Sequence, residues 1–151
     1  MMSNLQEYCF YGMAALAVFD RFTLKRKKIR LVECGDAVVR GRALAFPLRF
    51  NVSCARLTGA MVEYSLRDSK NPTAVITGKT RTLDLSVKGM NEEYLLIDQR
   101  YLEAGTWLLS VRVTHGNSRM NPLYRIFPVQ ESITRNYSVT KDEQGVFSVN
   151  N

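Results

Sequence analysis

The chain has 151 residues, of which 46% are hydrophobic and 23% charged, with a formal net charge of +7 at pH 7. That length fits one domain with a sizeable core, and that hydrophobic content excludes an intrinsically disordered chain. No apolar run reaches the roughly 18–20 residues needed to span a bilayer, so no membrane partner is expected, and the excess of cations bears on partners and solubility, not on fold.

In chain order, residues 1–20 read as an N-terminal arm. The apolar stretch FYGMAALAVF, from Phe10 to Phe19, is interrupted by Gly12. No Lys or Arg precedes it and Glu7 does, which is not the pattern of a secretory signal; synthesis in the cytoplasm without export is expected. Ala14 to Val18 favour a short helix. Alternatively the arm docks on a neighbouring subunit, or closes the domain's own core. Residues 20–33 place Phe22, Leu24, Ile29 and Leu31 in rough alternation with charged residues, which predicts one or two strands. The same segment holds the basic cluster Lys25, Arg26, Lys27, Lys28 and Arg30.

From Leu44 onward the period is two. Leu44, Phe46, Leu48, Phe50 and Val52 share one face, and Pro47 within the run argues for an edge position or a bulge. Val62, Tyr64 and Leu66 alternate with Glu63, Ser65 and Arg67. A loop at Asp68–Pro72 leads to a short strand at Ala74–Ile76, closed by Gly78. Leu83, Leu85 and Val87 form another strand, ended by Gly89. Tyr94–Ile97 is a further strand, and Asp98–Ala104 a single helical turn stopped by Gly105. Trp107, Leu109, Val111 and Val113 line one face of the next strand, His115–Ser118 makes a turn, and Leu123–Val129 returns as the last core strand. The residues from 135 to 151 read as a polar tail, either unordered or added to a partner's sheet edge.

Seven or eight short strands with frequent turns predict an antiparallel β-sandwich over residues 21–134. No residue pattern carries chemistry. His115, the only histidine, sits beside Gly116 in a polar turn with no partner legible in the sequence. Asp68, Asp84, Glu92, Glu93 and Asp98 follow no metal-loop spacing. Cys9, Cys34 and Cys54 are odd in number and form no C-x-x-C pair, so they read as small buried or half-buried thiols. No catalytic residue, cofactor or metal is expected. The residues expected to meet a partner are Phe10, Leu16, Val18 and Phe19 on the arm, with Lys25, Arg26, Lys27, Lys28 and Arg30 behind them. The basic cluster has three readings: a solvated strand face, a protein-docking surface, or a contact to nucleic acid phosphates.

The segment RLTGAMVEYSLRD, Arg56 to Asp68, preceded by the apolar strand Leu44–Val52, resembles the N-terminal immunoglobulin-like domain of phage baseplate upper proteins and related tail-associated sandwiches. The glycine-led strand Gly105–Val113 and the closing Phe127–Val129 with Ile133-Thr134 extend the resemblance to about residues 31–134. It implies a bacteriophage virion structural protein, located in the virion, whose partners are other virion proteins and copies of itself. The alternative is a basic, nucleic-acid-associated β-domain.

Overall fold

The computed structural model describes residues 2–24, 27–57, 59–78, 80–83, 86–116 and 121–150; the side chains of residues 2, 54–57 and 86 lie outside that description. The strands are β1 (Ile29–Cys34), β2 (Val38–Arg40), β3 (Ala43–Leu57), β4 (Met61–Asp68), β5 (Val75–Thr77), β6 (Arg81–Thr82), β7 (Ser86–Asp98), β8 (Gly105–His115), β9 (Val129–Lys141) and β10 (Phe147–Asn150). Helix α1 (Met2–Phe19) precedes them and a short helix α2 (Leu123–Ile126) lies between β8 and β9.

All pairings are antiparallel and form two sheets. In the first, β3 pairs along its length with β7, while β1 and β2 share its other flank. In the second the order is β10-β9-β8-β4, with β5 and β6 sharing the outer flank of β4. The protein is therefore an antiparallel β-sandwich with an N-terminal helix.

The period-two faces meet in one core. Leu44, Phe46, Leu48, Phe50 and Val52 of β3 are each at most 1% exposed, and Trp107, Leu109, Val111 and Val113 of β8 face them from the other sheet. Phe46 meets Tyr137 of β9 edge to face, with ring centroids 4.9 Å apart. The Tyr137 hydroxyl donates to the Gly35 carbonyl at 2.8 Å, so its polar end is satisfied beyond β1. Arg135 bridges the same edge, donating to the Cys34 carbonyl and to Asp36 Oδ1. In β1 an extra residue between Leu31 and Glu33 shifts the register. The shift turns Cys34 inward, where burial raises its thiol pKa to about 11, and leaves Glu33 outside, 2.8 Å from Arg49.

Several sequence expectations change. Pro47 lies in an interior strand. Its carbonyl accepts from the Gly35 N–H at 2.8 Å, so its nitrogen, which has no hydrogen to donate, also faces the gap where β1 has ended and β2 has not begun. Gly89 does not end a strand: it sits within β7 at φ +107, opposite Val52, where β3 changes register. Asn91 supports this kink by donating to the carbonyls of Val87 at 2.6 Å and Gly89 at 3.0 Å. Leu123–Ile126 is helical, because Pro122 already holds αR geometry at its start. Residues 20–24 continue α1 as a π-helical turn, so Phe22 and Leu24 are not strand residues. The sandwich does not stop at 134. β9 runs through Arg135 to Lys141, and Tyr137 and Val139 are 1% exposed, so the expected tail supplies core; β10 pairs with β9 beyond it.

His115 is also relocated. It ends β8 on the inward face that Trp107, Leu109, Val111 and Val113 establish, and is 3% exposed. Among the described residues its Nε2 has no hydrogen-bond partner. Burial, and then the charges of Lys28, Arg21 and Lys27, push its pKa down from 6.5 to about 4, so it is neutral at pH 7.

Two outcomes follow from this core. Phe46→Ala removes a ring in contact with both sheets and is expected to cost about 3–5 kcal/mol, read as a lower urea midpoint with an unchanged slope. For His115, the folded state binds the proton more weakly than the unfolded state. Its contribution is therefore intact above pH 6.5 and is lost as pH falls from there toward about 4. His115→Gln should flatten the urea midpoint across that window, whereas an equally steep decline in the variant would assign the effect to other groups.

Candidate docking surface: the N-terminal helix and its root

Helix α1 forms because Ala14, Ala15, Leu16 and Ala17 follow an unbroken run without proline. Every described side chain from Ser3 to Phe19 is exposed except that of Ala17, which is half-buried. At 3.6 residues per turn, Tyr11, Leu16 and Phe10 lie on three faces roughly 120° apart. They are 61%, 69% and 65% exposed, so no face of the helix is packed against the sandwich. Val18 and Phe19 are exposed as well. The four arm residues expected to dock are therefore accessible, and the reading in which this segment closes the domain's own core is corrected. Cys9, expected to be buried or half-buried, is exposed for the same reason.

The end of α1 is held firmly. The Asn121 side-chain amide donates to the Ala17 carbonyl at 2.9 Å and to Asp20 Oδ2 at 3.1 Å, while its own Oδ1 accepts from the Leu123 N–H at 3.0 Å. Ala17 lies in the last α-helical turn, just before the π-helical residues 20–24. The Tyr124 hydroxyl donates to the Asp20 carbonyl at 3.2 Å. Arg21, 9% exposed, donates to the Phe127 carbonyl through Nε and to the Pro128 carbonyl at 2.9 Å. Its guanidinium lies 5.5 Å from the Tyr124 ring centroid and 5.3 Å from that of Phe22, an arrangement in which ring faces attract the cation. Phe22 in turn packs on Phe127 at 5.7 Å between centroids. A buried polar grip thus fixes the root of the helix to the segment between β8 and β9.

Around the root lie exposed apolar and basic groups. Leu24, Ile126 and Phe127 are exposed beside Phe22. Lys27 is exposed and Lys28 half-buried; both carbonyls accept from the Ser53 hydroxyl, which ties this segment to β3. The charges of Lys28, Arg21 and Lys27 all act at His115 and help to lower its pKa. Arg125 is exposed on α2, and Arg30 on β1. Lys25 and Arg26 fall outside the described residues. Sequence reasoning missed Asn121, Tyr124 and the anchoring role of Arg21. No local pattern marks a side chain that caps a helix about a hundred residues away. The burial of His115, by contrast, was legible as one more step of the Trp107–Val113 alternation.

Among the described residues no group of three His, Cys, Asp or Glu side chains is placed to hold a metal ion. Asp98 accepts from the Arg100 N–H at 3.0 Å and pairs with its guanidinium at 3.1 Å. Glu92 accepts from the Tyr94 hydroxyl at 2.5 Å, and Asp68 accepts from the Lys70 N–H at 2.9 Å. These are turn and surface contacts, and none places a base beside a nucleophile. Open clefts among the described residues include one of about 330 Å³ beside Tyr64 and Arg112 and one of about 490 Å³ beside Arg42, Arg100 and Lys141.

Comparison with known proteins adds one firm relation. No curated protein matches the chain. Solved structures similar to parts of it include a β-glucosidase from Kluyveromyces marxianus, at 14% identity and a TM-score of 0.41 over 78% of this chain. Another is β-glucosidase 3B from Thermotoga neapolitana in complex with glucose, at 18% identity and a TM-score of 0.38 over 73% of this chain. The chain spans only 16% of the length of either enzyme. Residues 8–148, from the middle of α1 to β10, match the LydB family, described as LydA-holin antagonist, and the chain belongs to that phage-associated family.

Proposed function

We propose that this phage protein is a non-catalytic antagonist of a holin, a phage lysis protein, and that it acts by binding. The observation that carries the reading is the family match over residues 8–148, which takes in both the sandwich and most of α1. Two features of the molecule support it. The interior of the sandwich is filled by Leu, Val, Phe and Trp side chains, leaving its inner faces to packing. The exposed apolar surface is concentrated on α1 and its root, the region suited to contact another protein. Phe10, Leu16, Val18 and Phe19 would supply affinity at roughly 1.5–3 kcal/mol for each large side chain fully buried, and the rigid sandwich would set how the helix is presented.

Under this reading, expressing the chain together with the LydA holin in a bacterial host delays the fall in culture turbidity, and the chain co-purifies with the holin from detergent extracts. Replacing both Phe10 and Leu16 by Asp should abolish the delay while leaving the urea midpoint of the sandwich unchanged. An unaltered lysis time with the intact chain would contradict the reading. Recovery of the chain in stoichiometric amount from purified particles would support a virion structural role in its place.

A further inference from the structure

We infer that α1 seats in one leaflet of an anionic lipid bilayer, with the basic residues at its root on the lipid headgroups. Three observations carry this. The first is the distribution of apolar surface around the helix. Phe10, Tyr11 and Leu16 point in three directions and are almost equally exposed, and from Tyr8 to Phe19 no charged residue interrupts the sequence. A helix that is apolar on all sides requires apolar surroundings on all sides. A single docking groove, or one helix of a second copy, would cover one face and leave the others in water.

The second observation is charge. The root carries Lys27, Lys28 and Arg125 beside the buried Arg21, with Asp20 held within the Asn121 grip. Anionic headgroups attract a basic segment of this kind next to an apolar helix. Parallel packing of two copies would instead bring two basic roots together, and the only acidic residue on α1 is Glu7. The third is the arrangement of the ends. Ser3, Asn4, Gln6 and Glu7 make the first turns polar, so both ends of the helix suit headgroup level and the stretch between them suits the acyl region. Phe22, Ile126 and Phe127, all exposed, extend the apolar surface at the root. No helix among the described residues is long and apolar enough to cross a membrane, and the seating inferred here does not require crossing. Attachment would hold the sandwich at a bilayer surface; it uses the same Phe10 and Leu16 as the proposed holin contact, and a holin-free vesicle experiment distinguishes the two.

Sedimentation of the full chain with lipid vesicles tests the inference. Vesicles of phosphatidylcholine alone are compared with vesicles containing phosphatidylglycerol, at low and high salt. The chain is expected to bind the anionic vesicles, with affinity that falls as salt rises. Phe10→Asp, Tyr11→Asp and Leu16→Asp, each on a different face, should each weaken binding by about tenfold or more. A Lys27→Glu, Arg125→Glu double variant should remove most of the preference for anionic lipid. All these positions are exposed, and an unchanged urea midpoint confirms that the variants fold. No binding, or binding indifferent to phosphatidylglycerol, overturns the inference. So does sensitivity on a single face combined with concentration-dependent dimers in vesicle-free solution, which would assign the helix to a second copy. The vesicles contain no holin, so this result stands apart from that of the lysis experiment.

Discussion

Phe46 meets Tyr137 across the gap between the two sheets, and the rest of the architecture depends on that contact. It joins the strand at the centre of one sheet to β9, which carries the chain past the point where its sequence turns polar. The Tyr137 hydroxyl and the Arg135 guanidinium then reach over to the backbone of Gly35 and Cys34 at the end of β1 and close that edge of the sandwich. With the inner faces filled by residues of β3, β4, β8 and β9, the core has no remaining face for the apolar stretch of α1 from Tyr8 to Phe19. The helix is consequently outside, and the protein holds it by its end.

That hold is specific. Asn121, Tyr124 and Arg21 are all buried, and each places a polar group on a backbone carbonyl at the junction of the helix with the segment after β8. A merely tethered apolar segment would not need such a grip. The arrangement orients α1 relative to the sandwich, with Lys27, Lys28 and Arg125 in the segments around its base.

Much of the sandwich was legible from its alternation. The inward faces of β3 and β8 are the residues that the period of two selects, because a strand with one buried face has no other way to sort them. Legibility failed where the backbone departs from that period. The register shift in β1, the kink at Gly89 and the interruption opposite Pro47 each depend on which strand lies alongside, and sequence does not state the neighbour. It failed also in β9, where Arg135, Tyr137 and Val139 alternate with Asn136, Ser138 and Thr140 in a segment whose composition resembles a solvated end. The candidate site was half legible. Phe10, Leu16, Val18 and Phe19 were conspicuous as apolar residues outside any strand, while the grip at the root depends on residues that only the fold brings together.

The most direct measurement is hydrogen exchange on the full chain, alone and with anionic vesicles. Local protection tracks how deeply a segment's hydrogen bonds are held from solvent opening. The account predicts that amides of β3, β4, β8 and β9 are strongly protected in both conditions, while those of α1 exchange rapidly in the chain alone and slowly once vesicles are added. Helix amides protected as strongly as β8 in the monomeric chain without lipid, or left unprotected when vesicles are present, would contradict it.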